Sequence, residues 1–237
     1  MKKILLGILL AFSLVACANG TTKKEVKAKN IELVFILDRS GSMFGLEKDT
    51  IGGYNSMLQK QKEQSGDVFV TTVLFDDYYE MLYHHKNIKE LSDMTEKEYF
   101  VRGSTALYDA IGKTIVNVDR EQELADKKVD QVLFIITTDG MENASQEFTA
   151  KQVRALIEKQ KKEKKWEFLF LGANIDAEET AAQFGISKEK SVNYHADSLG
   201  TQKNYKVLGE AVLQMRSGQQ LKKEWKQEIE EDYKNRK

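Results

Sequence analysis

The run IELVFILDRSGSM, residues 31–43, decides the fold. Ile31 to Leu37 is close to a continuous apolar stretch, the pattern of a strand covered on both faces rather than one face alone. It breaks abruptly into Asp38, Arg39, Ser40, Gly41, Ser42 and Met43, a polar cluster set directly at the strand's end. Similar apolar runs recur at Val68 to Phe75, Val129 to Thr137 and Trp166 to Leu171, with Tyr78 to His84 and Ser191 to His195 as further short strands. Between them lie helical patterns. The clearest is Leu107, Ala110, Ile111, Thr114, Ile115 and Val118, at i, i+3, i+4 spacing. Val153, Leu156 and Ile157 mark another helix, and Tyr205, Leu208, Val212 and Met215 a last one. The order βαββαβαβαβα predicts an α/β domain: an open, doubly wound, mostly parallel sheet with helices on both faces. In such sheets ligands sit outside the carboxyl ends of the strands, so functional residues should follow strands directly.

The chain has 237 residues, 41% apolar and 31% charged, which is enough for one sizeable core. Its 36 Lys and Arg nearly balance 37 Asp and Glu, so no overall positive field recommends nucleic acid as a partner. The one cysteine, Cys17, stands too near the start to build a disulfide or thiolate metal site in the domain.

Three segments place oxygen side chains at the predicted carboxyl edge. Asp38, Ser40 and Ser42 follow the first strand, with Gly41 expected to allow the tight path that turns both serines one way. Thr105 stands at the approach to the helix beginning near Ala106. Asp139 follows the strand that ends in Thr137 and Thr138. Two carboxylates and three hydroxyls suit a hard cation such as Mg²⁺, which takes oxygen ligands and keeps positions open for water or an outside group.

Asp-x-Ser-x-Ser, then Thr, then Asp resembles the metal-ion-dependent adhesion site (MIDAS) of von Willebrand factor A (vWA) domains. The strings VFILDRSGSM (34–43), GSTALYDAI (103–111) and FIITTDGMEN (134–143) are similar to bacterial members, and the match runs from about Ile31 to about Met215. The resemblance implies that Asp38, Ser40, Ser42, Thr105 and Asp139 hold Mg²⁺, or Mn²⁺ or Ca²⁺. The hydroxyls would contact the ion directly and the aspartates directly or through water. It implies a binding module, not an enzyme, whose ion completes its coordination with an acidic residue of a protein partner. Two other readings remain: a Mg²⁺-dependent phosphoryl-transfer enzyme with Asp38 as nucleophile, although Ser40 stands where such enzymes usually carry a second aspartate, and a scaffold in which the ion only orders loops.

Other polar residues carry less. Asp109 and Glu142 lie close to the predicted site in sequence, but acids at a helix start or in a loop commonly offset the helix dipole or face solvent. Asp76 and Asp77 read as a turn between strands. His84 and His85 are adjacent, so on a strand they point to opposite sides. His195 is isolated. The basic stretch Glu158 to Lys165 reads as the solvated end of a helix. In the tail, Leu221, Trp225 and Ile229 fall on one helical stripe, which suits either a helix packed back on the domain or an extension that binds a partner.

At the amino end, Lys2 and Lys3 precede an apolar stretch from Ile4 to Val15, the form of an export signal too short for a comfortable membrane span. Leu14, Val15, Ala16 and Cys17 resemble the lipobox of bacterial lipoproteins, which implies cleavage before Cys17 and lipid attachment to its sulfur. Several acyl chains would hold the domain firmly at a bilayer. The expected division is a signal peptide over 1–16, lipidated Cys17 and a flexible tether over 17–29, the vWA-like domain over 30–217, and a charged helical tail over 218–237. The expected place is the cell membrane or cell surface of a bacterium, with the chain exported and lipid-anchored.

Overall fold

The computed structural model describes residues 29–236, so the expected signal, Cys17 and nearly all of the tether lie outside the described residues. Six strands form one sheet: β1 (Ile31–Asp38), β2 (Val68–Phe75), β3 (Tyr79–Asn87), β4 (Gln131–Thr138), β5 (Glu167–Gly172) and β6 (Ser191–Asn193). Their spatial order is β3-β2-β1-β4-β5-β6, parallel except for β3, which runs antiparallel beside β2. Six α-helices accompany them: α1 (Glu47–Lys62), α2 (Leu107–Leu124), α3 (Ala150–Glu163), α4 (Ala177–Gln183), α5 (Ser198–Arg216) and α6 (Gln227–Asn235).

The two faces of β1 explain its unbroken apolar run. Leu33, Phe35 and Leu37 pack with Tyr54 of α1, Leu208 and Val212 of α5 and Ile229 of α6. Val34 and Ile36 face the other way, against Ile111 and Ile115 of α2, Val153 and Ile157 of α3 and Ala181 of α4. A strand between two helical layers has no solvent face, so alternation disappears from its sequence. Each of the Leu, Ile, Val and Phe side chains among these, fully buried, is worth roughly 1.5–3 kcal/mol, which is why the central strands are the most legible elements.

The edges are handled differently. β3 alternates between half-buried and exposed residues, and its pairing with β2 is broken by irregularities near His85, whose φ of 45° is in the left-handed region. Such a kinked, polar edge discourages pairing with another chain. At the far edge, the Lys226 Nζ donates to the Ser191 carbonyl at 2.7 Å and the Trp225 Nε1 donates to the Glu189 carbonyl at 2.9 Å. The tail is thus folded back beside β6, with Ile229 buried and Leu221 and Trp225 packed on the same core. Only Ile229 of the three lies on α6. Leu221 precedes the helical turns, because Gly218, with φ of 79°, ends α5 and the chain must reverse before it can coil again.

The strand order reverses at β1, whose neighbours β2 and β4 are reached in opposite directions along the sheet. The crevice that this creates at the carboxyl ends of β1 and β4 is where an open sheet presents loops to a ligand.

Candidate metal site

Asp38 is the last residue of β1 and Asp139 the first after β4, so adjacent parallel strands deliver both carboxylates to the same crevice. Both are buried, at 1% and 2% exposure. The Asp38 Oδ1 accepts from the Ser40 backbone N–H at 2.7 Å, and its Oδ2 accepts from the Thr138 hydroxyl at 2.6 Å. Ser42 sits on a single helical turn, Gly41–Met43, and its hydroxyl donates to the Asp139 Oδ1 at 2.5 Å. The Ser40 and Ser42 hydroxyls lie 3.1 Å apart. Thr105 joins from the third segment: a Cβ on Gly140 would stand 3.2 Å from both the Thr105 Oγ1 and the Ser42 Oγ. All five residues singled out in the sequence therefore meet at one edge.

The backbone holds these loops together. Gly41 N–H donates to the Gly103 carbonyl at 3.1 Å, and Arg102 N–H to the Arg39 carbonyl at 2.9 Å, laying the loop before α2 on the loop after β1. The left-handed residue in this contact is Gly103, with φ of 64°, not Gly41, whose glycine lets the two backbones approach. The Asn143 side chain accepts from Thr105 N–H at 2.8 Å while Asn143 N–H donates to the Thr105 carbonyl at 3.0 Å, tying the loop after β4 to the same place. Tyr99, fully buried, donates its hydroxyl to the Asp38 carbonyl at 2.5 Å.

Burial pushes the Asp38 carboxyl up to about 6, against the opposing hydrogen bonds from Thr138 and Ser40, and the neighbouring Asp139 charge adds to the rise. Burial likewise raises Asp139, with the Ser42 hydrogen bond opposing it. The Asp139 Oδ2 is buried and has no hydrogen-bond partner among the described residues. An ionised carboxylate with an unpartnered buried oxygen is costly. Its cost falls if a cation lies beside it. The donor set fits a hard ion held by carboxylates and neutral hydroxyls. Among the described residues no group of three or more His, Cys, Asp and Glu side chains could hold an ion, so any site here depends on Ser40, Ser42 and Thr105 for its remaining oxygens.

Several neighbours escaped sequence reasoning. Asp76 lies at the hairpin turn expected of it but is fully buried. One oxygen accepts from Arg39 Nε at 2.8 Å and Arg102 Nε at 2.7 Å, the other from Tyr78 N–H at 2.7 Å, and its carbonyl accepts from Ala106 N–H at 3.1 Å. It joins the loops that carry Ser40 and Thr105. Tyr99 and Asn143 are equally silent in the sequence, whereas Thr138 carries a signal, a hydroxyl at the last strand position before Asp139. Asp109 and Glu142 serve the loops: Asp109 accepts from the backbone N–H groups of Gln146, Glu147 and Phe148, and Glu142 from those of Tyr108, Ala144 and Ser145.

No profile of a known protein family matches the sequence, and no curated protein matches it. Solved structures do. The proximal thread matrix protein 1 of the mussel byssus, in a structure with a zinc-occupied MIDAS motif, superposes with a TM-score of 0.56 at 15% identity over 78% of this chain. The vWF domain of the type V pilus tip protein Mfa5 from Porphyromonas gingivalis gives 0.54 at 8% identity, covering 78% of this chain and 96% of that one. The fold is that of a vWA domain. A von Willebrand factor type A protein from Catenulispora acidiphila agrees, at 0.52 and 15% identity over 78% of this chain. This vWA-type chain spans less than half of the mussel protein, 46%, and of the Catenulispora protein, 42%.

Proposed function

We propose that this vWA-type domain is a binding module that takes up a divalent cation, Mg²⁺ first, at Asp38, Ser40, Ser42, Thr105 and Asp139, and through it grips an acidic residue of a protein partner. The observation that carries this reading is the buried, unpartnered Asp139 Oδ2 beside three convergent hydroxyls. The zinc-occupied MIDAS of the mussel protein supports it by fold. When bound, the ion supplies a Lewis-acidic position with room for an outside oxygen. The chain's own part is to hold the carboxylates rigidly: Asp38 is fixed through both oxygens, and Ser42 donates to Asp139 while its lone pairs remain to face an ion.

Phosphoryl transfer with Asp38 as nucleophile is the weaker reading, because Ser40 stands where such enzymes usually carry a second aspartate. With the lipobox-like segment ending in Cys17, the module would work at a bacterial envelope, tethered by lipid.

Isothermal titration of Mg²⁺ and Mn²⁺ into the chain beginning at Ala18, which carries all the described residues, tests the site. Binding by the native domain, lost in a folded Asp38→Ala, Asp139→Ala variant, is expected. Equal binding by both would remove the proposal.

A further inference from the structure

Around the candidate metal site the surface is unusually apolar. Among the described residues seven large hydrophobic side chains are exposed, and five of them stand at the carboxyl edge of the sheet or in loops packed on it: Phe44 at 80%, Met141 at 75%, Tyr78 at 66%, Leu199 at 51% and Phe100 at 42%. The other two, Val116 and Leu124, are on α2. Phe44 lies two residues beyond Ser42, and Met141 two beyond Asp139, so the very loops that bring the metal-binding oxygens also lift apolar side chains into water. Scattered exposed hydrophobes need no explanation, but a concentration on one face marks an interaction surface.

A cation stands in the same rim. Arg102, three residues before Thr105, is held by its Nε on Asp76 at 2.7 Å, with its guanidinium carbon 5.1 Å from the Tyr78 ring centre and 5.3 Å from that of Phe100. The buried Arg39 guanidinium lies over the same Phe100 ring, also at 5.3 Å. The side chain of Arg102 is 42% exposed, and its two terminal nitrogens make no hydrogen bond or ion pair among the described residues. An arginine fixed through Nε and flanked by two rings has little freedom left to lose, and it offers an unused fork suited to a carboxylate.

We propose, resting on the metal-binding reading, that this rim docks a protein segment in which at least two acidic residues are set among apolar side chains. One carboxylate completes the metal site, a second takes the terminal nitrogens of Arg102, and the apolar side chains between and beside them cover Phe44 and Met141. The charge of Arg102 favours an acidic partner over a basic one with the same apolar content. The exposed rings supply the desolvated contact that carries most of the energy in such interfaces.

The test uses a displayed library of random peptides selected on the chain beginning at Ala18 in Mg²⁺, followed by affinity measurements with synthetic copies of the selected sequences. The proposal expects acidic peptides rich in apolar residues. It expects Phe44→Ser, Met141→Ser protein to bind them at least tenfold more weakly with Mg²⁺ affinity unchanged. Replacing each peptide acid in turn by its amide should reveal one whose loss is coupled to Arg102→Gln: each change alone costs about tenfold, and the two together cost little more than either. That coupling would not arise if Arg102→Gln merely loosened the loop.

Peptides that bind with chelation sensitivity but are indifferent to Phe44, Met141 and Arg102 would overturn this inference while leaving the metal site standing. Peptide binding that survives both chelation and Asp139→Ala would overturn the metal reading instead. A selection that yields no peptide, or only basic ones, also overturns the docking surface.

Discussion

Two acids on the same strand, Glu32 near the start of β1 and Asp38 at its end, are both buried, and their surroundings differ in kind. Glu32 is surrounded by donors: the Thr71 hydroxyl at 2.7 Å on one oxygen, His85 Nδ1 at 2.9 Å and the Gln122 amide on the other. These partners come from β2, β3 and α2, so this one carboxylate pins an edge strand and a helix to the centre of the sheet. Asp38 is held by two neighbours but sits beside Asp139, whose second oxygen has none, and both of these carboxyls are raised by burial. A buried acid with donors from three elements on its two oxygens is a structural joint. A pair of buried acids with one oxygen lacking a donor among the described residues is a place suited to a cation.

The contrast can be broken at either end. The largest effect is expected from Glu32→Ala, which strands the His85, Thr71 and Gln122 donors and should cost about 3–5 kcal/mol in urea unfolding. Its Mg²⁺ affinity, measured on folded protein, should not change. A loss below about 1 kcal/mol would show that the three donors find water instead.

The metal-free domain should also respond to acid in a way set by Asp38. Its folded pKa of about 6 lies above the unfolded value, so the folded form binds the proton more tightly and stability rises as pH falls from about 7 toward 4. The Asp38 share of the gain is at most about 3 kcal/mol, and Asp38→Asn should reduce the rise to the part that the raised Asp139 contributes. His85 has a raised pKa, chiefly from its hydrogen bond with Glu32. Its contribution is fully present below the unfolded histidine value and is lost as pH rises through the higher folded one, so His85→Gln should remove a decline on the alkaline side. Chemical unfolding at a series of pH values, with chelator present, separates the two slopes.

Mg²⁺ at about a hundred times its dissociation constant should stabilise the wild-type domain by about 2.7 kcal/mol and Asp139→Ala not at all. Because the proton and the ion compete for Asp38, Mg²⁺ affinity should weaken as pH falls below about 6. Titration calorimetry at two pH values checks this, and an affinity independent of pH would place the ion away from Asp38. The smallest effect is expected from Gly140→Ala, whose new methyl would press on the Ser42 and Thr105 hydroxyls at 3.2 Å. A cost of about 1 kcal/mol in metal affinity, with the fold intact, would show that both hydroxyls face the ion.

The elements that were legible in the sequence are those whose burial is complete or periodic. β1, β2 and β5 fall within a residue of the apolar runs, and α2 carries its stripe on the expected face, because a strand between two helical layers or a helix on a sheet must repeat its apolar residues at the spacing of its own backbone. The short β6 stops at Asn193, two residues before the expected end, since three residues carry too little pattern to mark where pairing ceases. The meeting of Asp38 and Asp139 was legible for a related reason: in an open parallel sheet the ends of adjacent strands reach the same edge.

Chemistry that depends on which segments become neighbours was not legible. Glu32 drew no reading of its own within the strand run, and Asp76 read as a turn former. Each proves to be a buried joint because its side-chain donors arrive from 26 to 90 residues away in the chain. The orphaned Asp139 oxygen and the apolar rim around Arg102 are likewise properties of packing. The sequence by itself determined the doubly wound sheet and the edge at which Asp38, Ser40, Ser42, Thr105 and Asp139 gather, since apolar periodicity and position at a strand's end are local facts. Only the tertiary structure decided which buried acids are satisfied and which lack a partner, because the energy of a buried charge is set by whatever folds against it.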